Sequence, residues 1–411
     1  MALLKAKKNL WIGTAFLAAL VALGVSQLLL DTTSAAPDVQ APMFEVDPLW
    51  PKPLPNHWLL GSAIGVTVDS RDHVFVVHRQ QSFNERTEIG AATTPRTAVE
   101  CCSPAPPVLE FDSEGNLVGH WGGPGQGYDW PSSNHGITAD AKDNMWIGGN
   151  GGDDAHMLKF TRDGKFIKQF GKPGVRRGSA YTEKDPKWVG GSDDKANFGR
   201  VAKVAFDNKA NEAYVADGYL NKRVAVIDME TGAFKRYWGA YGNKPDDADL
   251  GRYVPADPPA KQFRNPVHCA DPSNDGFVYV CDRPNDRLQV FKLDGTFVKE
   301  KVIAKETLGD GSVWDIAFSK DPQQKYIYVA DGKNEKVYIV DRQSLEVLTT
   351  FGDGGRQPGQ FFGVHSIATD SKGNIYTTET YEGKRIQKFV YKGMGAVTKK
   401  DQGPLWPKKT E

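Results

Sequence analysis

What the 411-residue sequence lacks narrows its function first. It has no net charge, since 51 basic side chains balance 51 acidic ones and the pI is near 7.1. A protein that neutralises a phosphate backbone carries a basic surplus on at least one face, so nucleic acid is not an expected partner. Long apolar runs are nearly missing too. One stands out, Leu10 to Leu30, preceded by Lys5, Lys7 and Lys8 and followed by Ser34, Ala35 and Ala36. Its length is what a bilayer-spanning helix needs, and its flanks are those of an export signal. Residues 1–36 therefore read as either a cleaved signal peptide or a retained membrane anchor with its lysines inside. Both place the body outside the cytoplasm, periplasmic or extracellular, and this segment is the one expected contact with a membrane.

Cysteine is scarce, with four residues. In an exported chain such residues are candidates for pairing. Cys269 and Cys281 sit almost symmetrically about Asn274-Asp275-Gly276, a hairpin turn signal. That places them opposite each other on neighbouring strands and predicts a disulfide. Cys101 and Cys102 are adjacent; a vicinal disulfide, two free thiols and pairing with another chain all stay open.

Glycine and proline, in contrast, are plentiful at 43 and 25 residues, so turns interrupt the chain often. Residues 37–60 are Pro-rich without a convincing period and read as a tether. From Gly61 onward one grammar repeats: an alternating strand, a Gly/Asp/Asn turn, a second strand ending in a small residue and Asp, then a third strand and a fourth closing on an aromatic-Gly pair. Second strands include Asn144 to Ile147, Glu212 to Val215, Phe277 to Val280, Tyr326 to Val329 and Asn374 to Thr377. Four short strands per unit, repeated six times, predict an all-β, six-bladed β-propeller over 61–395, with a tail at 396–411. Gln80 to Pro107, Lys172 to Asn197 and Ala240 to Phe263 are long connections expected to wall a pocket at the propeller's ends.

The six first strands open on Ile64, His135, Ala202, His268, Trp314 and His365. First strands line a propeller's channel, so these residues form a ring, and histidine takes every second place. A lone strand histidine is usually a packed core residue. Here only 8 histidines exist, and three share one repeat position in alternate blades. Three imidazoles with an open fourth position make a catalytic rather than a structural metal site, suited to zinc or another imidazole-binding divalent ion. Arg223, Arg287 and Arg385 recur at one third-strand position and read as structural ion-pair partners of aspartates. Arg79, Arg283 and Tyr219 are different. They fall singly at the ends of second strands beside the channel. Two cations and a phenol near a metal suit a small-molecule or peptide substrate with a carboxylate and an ionisable hydroxyl.

The segments His78-Arg79, Asn134-His135-Gly136, Asp217-Gly218-Tyr219-Leu220-Asn221, Pro266-Val267-His268, Asp282 to Arg287 and Val364-His365-Ser366 resemble, in order, those of the lyase domain of peptidylglycine α-amidating enzymes, a six-bladed propeller of NHL-type repeats. The resemblance implies zinc at His135, His268 and His365, a tyrosine acting on the substrate hydroxyl at Tyr219, and assisting arginines at Arg79 and Arg283. Ser366 stands where that family has an aspartate linked to a structural calcium, which weakens the case for calcium here. The expected function is an exported metal-dependent lyase cleaving the C–N bond of an α-hydroxy amide to an amide and a 2-oxo acid. Two alternatives share the architecture: a non-catalytic NHL scaffold of the cell envelope, and a metal-dependent lactonase or other hydrolase.

Overall fold

The computed structural model describes residues 39–407 except 89, 94, 99 and 175–189. The expected signal or anchor segment lies outside the described residues, as does part of the Lys172–Asn197 loop. Among the described residues no helix is long and apolar enough to cross a membrane.

The repeat is set locally by an aspartate at the end of the first strand. Asp69 Oδ1 accepts from the amides of Arg71 and His73 at 2.9 and 2.8 Å, Asp140 Oδ1 from those of Lys142 and Asn144 at 2.9 Å each, and Asp370 Oδ1 from those of Lys372 and Asn374 at 3.0 and 2.9 Å. A carboxylate that supplies the acceptors of its own turn fixes a tight reversal, and the second strand returns antiparallel beside the first. Six units, with Ser273 and Ser319 in the aspartate's place in blades four and five, build six four-stranded antiparallel sheets, the blades of a β-propeller. Their inner strands, Ser62–Val68, Asn134–Ala139, Val201–Asp207, Val267–Pro272, Asp315–Phe318 and Val364–Thr369, touch one another in a closed ring.

Both faces of each blade are apolar because each is covered by a neighbour. The interior is divided into six clusters, each shared by two consecutive blades. In one of them Ile64, Phe75 and Val77 of blade one meet Ile137, Ile147 and Leu158 of blade two.

The tether expected over 37–60 is corrected by the structure. Gln40–Asp47 is the outermost strand of blade six, antiparallel to Arg385–Ala396, with Phe44 opposite Tyr391 and Val46 opposite Phe389. Ala41, Phe44 and Val46 are buried, but a register shift between Pro42 and Phe44 breaks the alternation, which is why no period shows in the sequence. The ring is thus closed by sheet pairing between the two ends of the folded body. The tail is held as well: the amides of Thr350 and Gly352 donate to Lys400 O and Gly403 O at 2.9 and 3.0 Å, and that of Val46 to Leu405 O at 2.7 Å.

Cys269 and Cys281 are register partners on adjacent strands and are bonded, with Cα atoms 4.8 Å apart. Cys101 and Cys102 lie with their sulfur atoms side by side. The three recurrent arginines are structural, but their ion pairs lie within one blade, and the partner of Arg385 is a glutamate where an aspartate is expected. Arg223, Arg287 and Arg385 pair across the strand with Asp217, Asp282 and Glu379 at 2.7, 2.7 and 2.8 Å. Their remaining donors hold loop carbonyls, Ser192 O and Asn197 O for Arg223, Gln262 O for Arg287 and Gln360 O for Arg385. These guanidiniums therefore pin the long connections to one end of the ring.

Phe44 carries the closure, its ring lying 5.5 Å from Tyr328, 5.9 Å from Phe351 and 5.8 Å from Tyr391. Phe44→Ala is expected to cost about 3–5 kcal/mol in equilibrium denaturant unfolding. An unchanged midpoint would show that blade six closes without this strand.

Candidate metal centre

Five inner strands carry a bulge where they begin: the register shifts between Ala63 and Gly65, His135 and Ile137, Val201 and Lys203, Val267 and Cys269, and Val364 and Ser366. A bulge releases one residue from the ladder and re-aims the side chain beside it. The released residue is His268 in blade four and His365 in blade six. In blade two it is Gly136, at φ 59°, where an added Cβ would come 2.4 Å from Ala202 O. Glycine alone fits that approach.

The outcome is a nearly equilateral triangle of imidazoles. Ring centroids of His135, His268 and His365 are 5.1, 4.9 and 4.9 Å apart, with planes inclined by 68 to 82°. One ligand atom from each lies within 4.8 Å of the others, so the group can hold a metal ion. The intervening ring residues orient them. His135 Nδ1 faces Ala202 O at 2.7 Å and His268 Nδ1 faces Trp314 O at 2.5 Å. Ile64 O stands in the equivalent place for His365 but does not reach hydrogen-bond geometry, and His365 Nδ1 has no hydrogen-bond partner. A carbonyl at Nδ1 fixes the proton there and leaves the Nε2 lone pair free to bind.

All three rings are held neutral. Burial is the first cause of their pKa values falling well below the usual histidine range; for His135 the neighbouring His365 and Arg79 add to it, for His268 Arg283 and His365, and for His365 Arg283 and Arg79. Neutral, inward-facing imidazoles with neither thiolate nor carboxylate are the donor set of an open metal site.

Tyr219 leans over the triangle, its Oη 2.9 Å from His135 Nε2 and 3.1 Å from His268 Nε2. Arg79 is largely buried, donating from Nε to Asn134 O at 3.2 Å and from Nη2 to Asn150 Oδ1 at 2.7 Å. Arg283 lies in the short 3-10 turn Arg283–Asn285 and stacks over Trp314 with its guanidinium carbon 4.4 Å from the ring centroid. Its Nη2 is 3.6 Å from Asp310, its Nε is unpartnered, and the residue is 6% exposed. Arg79 and Arg283 come from opposite blades, one and four, and both charges reach the histidines. Arg283 also lines a cleft of about 590 Å³ with Arg252, Tyr253, Arg264 and Asp310, open to solvent beside the axis.

No protein-family model matches the chain. Among curated proteins it is 25% identical over 237 residues to peptidyl-glycine alpha-amidating monooxygenase B of Xenopus laevis, and 26% identical over 240 residues to form A. The chain is distantly similar to amidating enzymes. The matches take in 55% of this chain but only 25% and 23% of those proteins, so it spans about a quarter of their length. A structural genomics protein of unknown function from Bacteroides thetaiotaomicron shares the fold, with a TM-score of 0.50 at 14% identity over 86% of this chain and 77% of that one.

The structure brings the six sequence-selected residues, His135, His268, His365, Tyr219, Arg79 and Arg283, to one end of the channel. His78, part of the same amidating-enzyme-like segment, instead braces a loop. Its Nδ1 accepts from Gly61 N at 3.0 Å and its Nε2 meets Pro106 O at 2.9 Å, which holds the Gln80–Pro107 connection. Tyr381 escapes sequence inspection. It stands two residues past Glu379 in blade six, as Tyr219 stands two past Asp217 in the opposite blade three, and burial and then the Asp310 carboxylate raise its pKa while Arg283 and Arg79 oppose them. That repeat equivalence is the signal that would have found it.

Because their folded pKa values are depressed, the three histidines leave stability untouched above about pH 6.5 and withdraw it as pH falls below that, where the unfolded chain takes protons the folded one refuses. Metal-free wild type should therefore lose up to ~1.4 kcal/mol per pH unit per histidine on the acid side, relative to a His135→Gln, His268→Gln, His365→Gln variant. Parallel stability profiles from pH 7 to 5 would contradict the assignment of buried neutral imidazoles.

Proposed function

We propose that the protein is an exported metal-dependent lyase, most simply zinc-dependent, that cleaves the C–N bond of an α-hydroxy amide bearing a carboxylate. The observation that carries this is the combination at one axis end: three neutral imidazoles, a phenol 2.9 and 3.1 Å from two of them, and two guanidiniums from opposite blades. Similarity to amidating enzymes supports it, and the Cys269–Cys281 disulfide fits an oxidising compartment outside the cytoplasm.

His135, His268 and His365 would hold the ion, which when bound supplies Lewis acidity to a hydroxyl beside it. Tyr219, acting as the phenolate, accepts the hydroxyl proton at Oη. The O–H electron pair becomes the second bond of a carbonyl, the C–N pair leaves with nitrogen, and Tyr219 returns the proton there. Products are an amide and a 2-oxo acid. Arg283, with an unpartnered Nε, is the group to receive the substrate carboxylate. Arg79 stabilises charge developing beside His135. Trp314 keeps Arg283 in place by stacking. A hydrolase could use the same three imidazoles, and it is the similarity to amidating enzymes that favours the lyase.

α-Hydroxyhippurate is the test substrate. Zinc-loaded wild type should release benzamide and glyoxylate. Tyr219→Phe should lower kcat about 10²–10⁴-fold, and Arg283→Ala should act mainly on KM. A protein that carries one ion per chain and leaves both this compound and longer peptidyl analogues intact would overturn the lyase assignment.

A further inference from the structure

One residue deeper along the inner strands lies a second tier of the channel, where the positions after the ring residues are Gly65, Gly136, Lys203, Cys269, Asp315 and Ser366. Three of these are polar, buried or nearly so, and joined. Lys203 Nζ is 2.7 Å from Asp315 Oδ1, 2.9 Å from Asp271 Oδ1 and 3.2 Å from Ile316 O. Asp315 Oδ2 accepts from Ser366 Oγ at 2.6 Å and from the Ile367 amide at 3.1 Å. The contacts run from blade three to five to six, with a branch to blade four. Asp271 and Asp315 also lie near Cys269 as possible metal donors, but that sulfur is in a disulfide and an ammonium already sits between the carboxylates.

Each link is one peptide away from a ligand or from the group that orients it. Lys203 follows Ala202, whose carbonyl faces His135 Nδ1; Asp315 follows Trp314, whose carbonyl faces His268 Nδ1; Ser366 follows His365 itself. His365 is the imidazole whose Nδ1 lacks a hydrogen bond, so its orientation depends on how its backbone is held. A cavity of about 10 Å³ lined by the three histidines with Lys203, Asp315 and Ser366 joins the two tiers. Other polar ties between blades, such as Arg162 with Asp69 and Arg342 with Asp275, do not line this cavity. A buried ion pair is a poor source of net stability compared with apolar packing, but it demands one geometry.

We propose that Lys203, Asp315 and Ser366 are positioning residues of the metal centre: a chain of ammonium, carboxylate and hydroxyl that ties blades three, five and six beneath the ring and sets the spacing of the three imidazoles. The proposal rests on the histidines being metal ligands. It distinguishes these residues from catalytic ones, because they act through the backbone beside the ligands.

The test uses the full-length protein with Zn²⁺ for affinity and Co²⁺ for its visible ligand-field bands. Lys203→Met and Ser366→Ala should each weaken Zn²⁺ binding by about 10–100-fold and alter the Co²⁺ bands at saturation, which a loss of stability alone would not do. Lys203→Met leaves two carboxylates without their counter-charge and is open to misfolding, so Ser366→Ala decides, with its metal-free thermal midpoint expected near that of wild type. If wild type binds one ion per chain and the folded Ser366→Ala protein shows the same affinity and the same bands, the positioning role is overturned. Wild type that takes up neither ion overturns the metal assignment itself, and this proposal with it.

Discussion

Closing six twisted sheets into a ring forces six chain segments to approach one axis, and whatever side chains open those segments must share one narrow space. This steric convergence governs the rest of the molecule. Three of the six ring residues are imidazoles only 1 to 3% exposed. A charged imidazolium at such a place would forfeit its hydration, and two guanidiniums nearby oppose it further. The rings are therefore neutral, and neutral imidazoles confined to a triangle form a group that can hold a metal ion.

The bulges convert convergence into aim. In blades four and six the bulge releases the histidine itself from the ladder, and in blade two it releases Gly136 beside His135. Carbonyls of the next blade receive Nδ1 of His135 and His268. The same carbonyls belong to the ring residues that are not histidine. Ala202 and Trp314 thus serve through their main chain, which explains why such different side chains can occupy one repeat position.

Charge is layered along the axis. The guanidiniums of Arg79 and Arg283 and the phenols of Tyr219 and Tyr381 stand over the imidazoles, and the Lys203 ammonium lies beneath them between two aspartates. Burial works against the Lys203 charge, yet the flanking carboxylates of Asp271 and Asp315 prevail and push its pKa upward. Asp271, where burial dominates, is pushed up to about 6. The upper layer leaves Arg283 Nε without a hydrogen-bond partner, whereas in the lower one the Lys203 ammonium is paired with Asp271 and Asp315.

The blades, the structural arginines and the alternation of histidine around the ring were legible in the sequence because they are repeat properties, written by short apolar strands, polar turns and equal spacing, and the Cys269–Cys281 bridge was legible because its cysteines flank one hairpin turn. The outer strand Gln40–Asp47 was not, since a bulge at Pro42–Phe44 erases its period and its partner lies more than 300 residues away. Tyr381 and the Lys203–Asp315–Ser366 chain were hidden for a related reason. Each looks like an ordinary loop or strand residue until ring closure sets blade six beside blade one and opposite blade three, and blades three, five and six around one small cavity. Local chemistry along the chain determined which residues would face the axis; only the closed tertiary ring decided which of them would touch, because contacts across an axis depend on the angle between blades and not on any spacing within one.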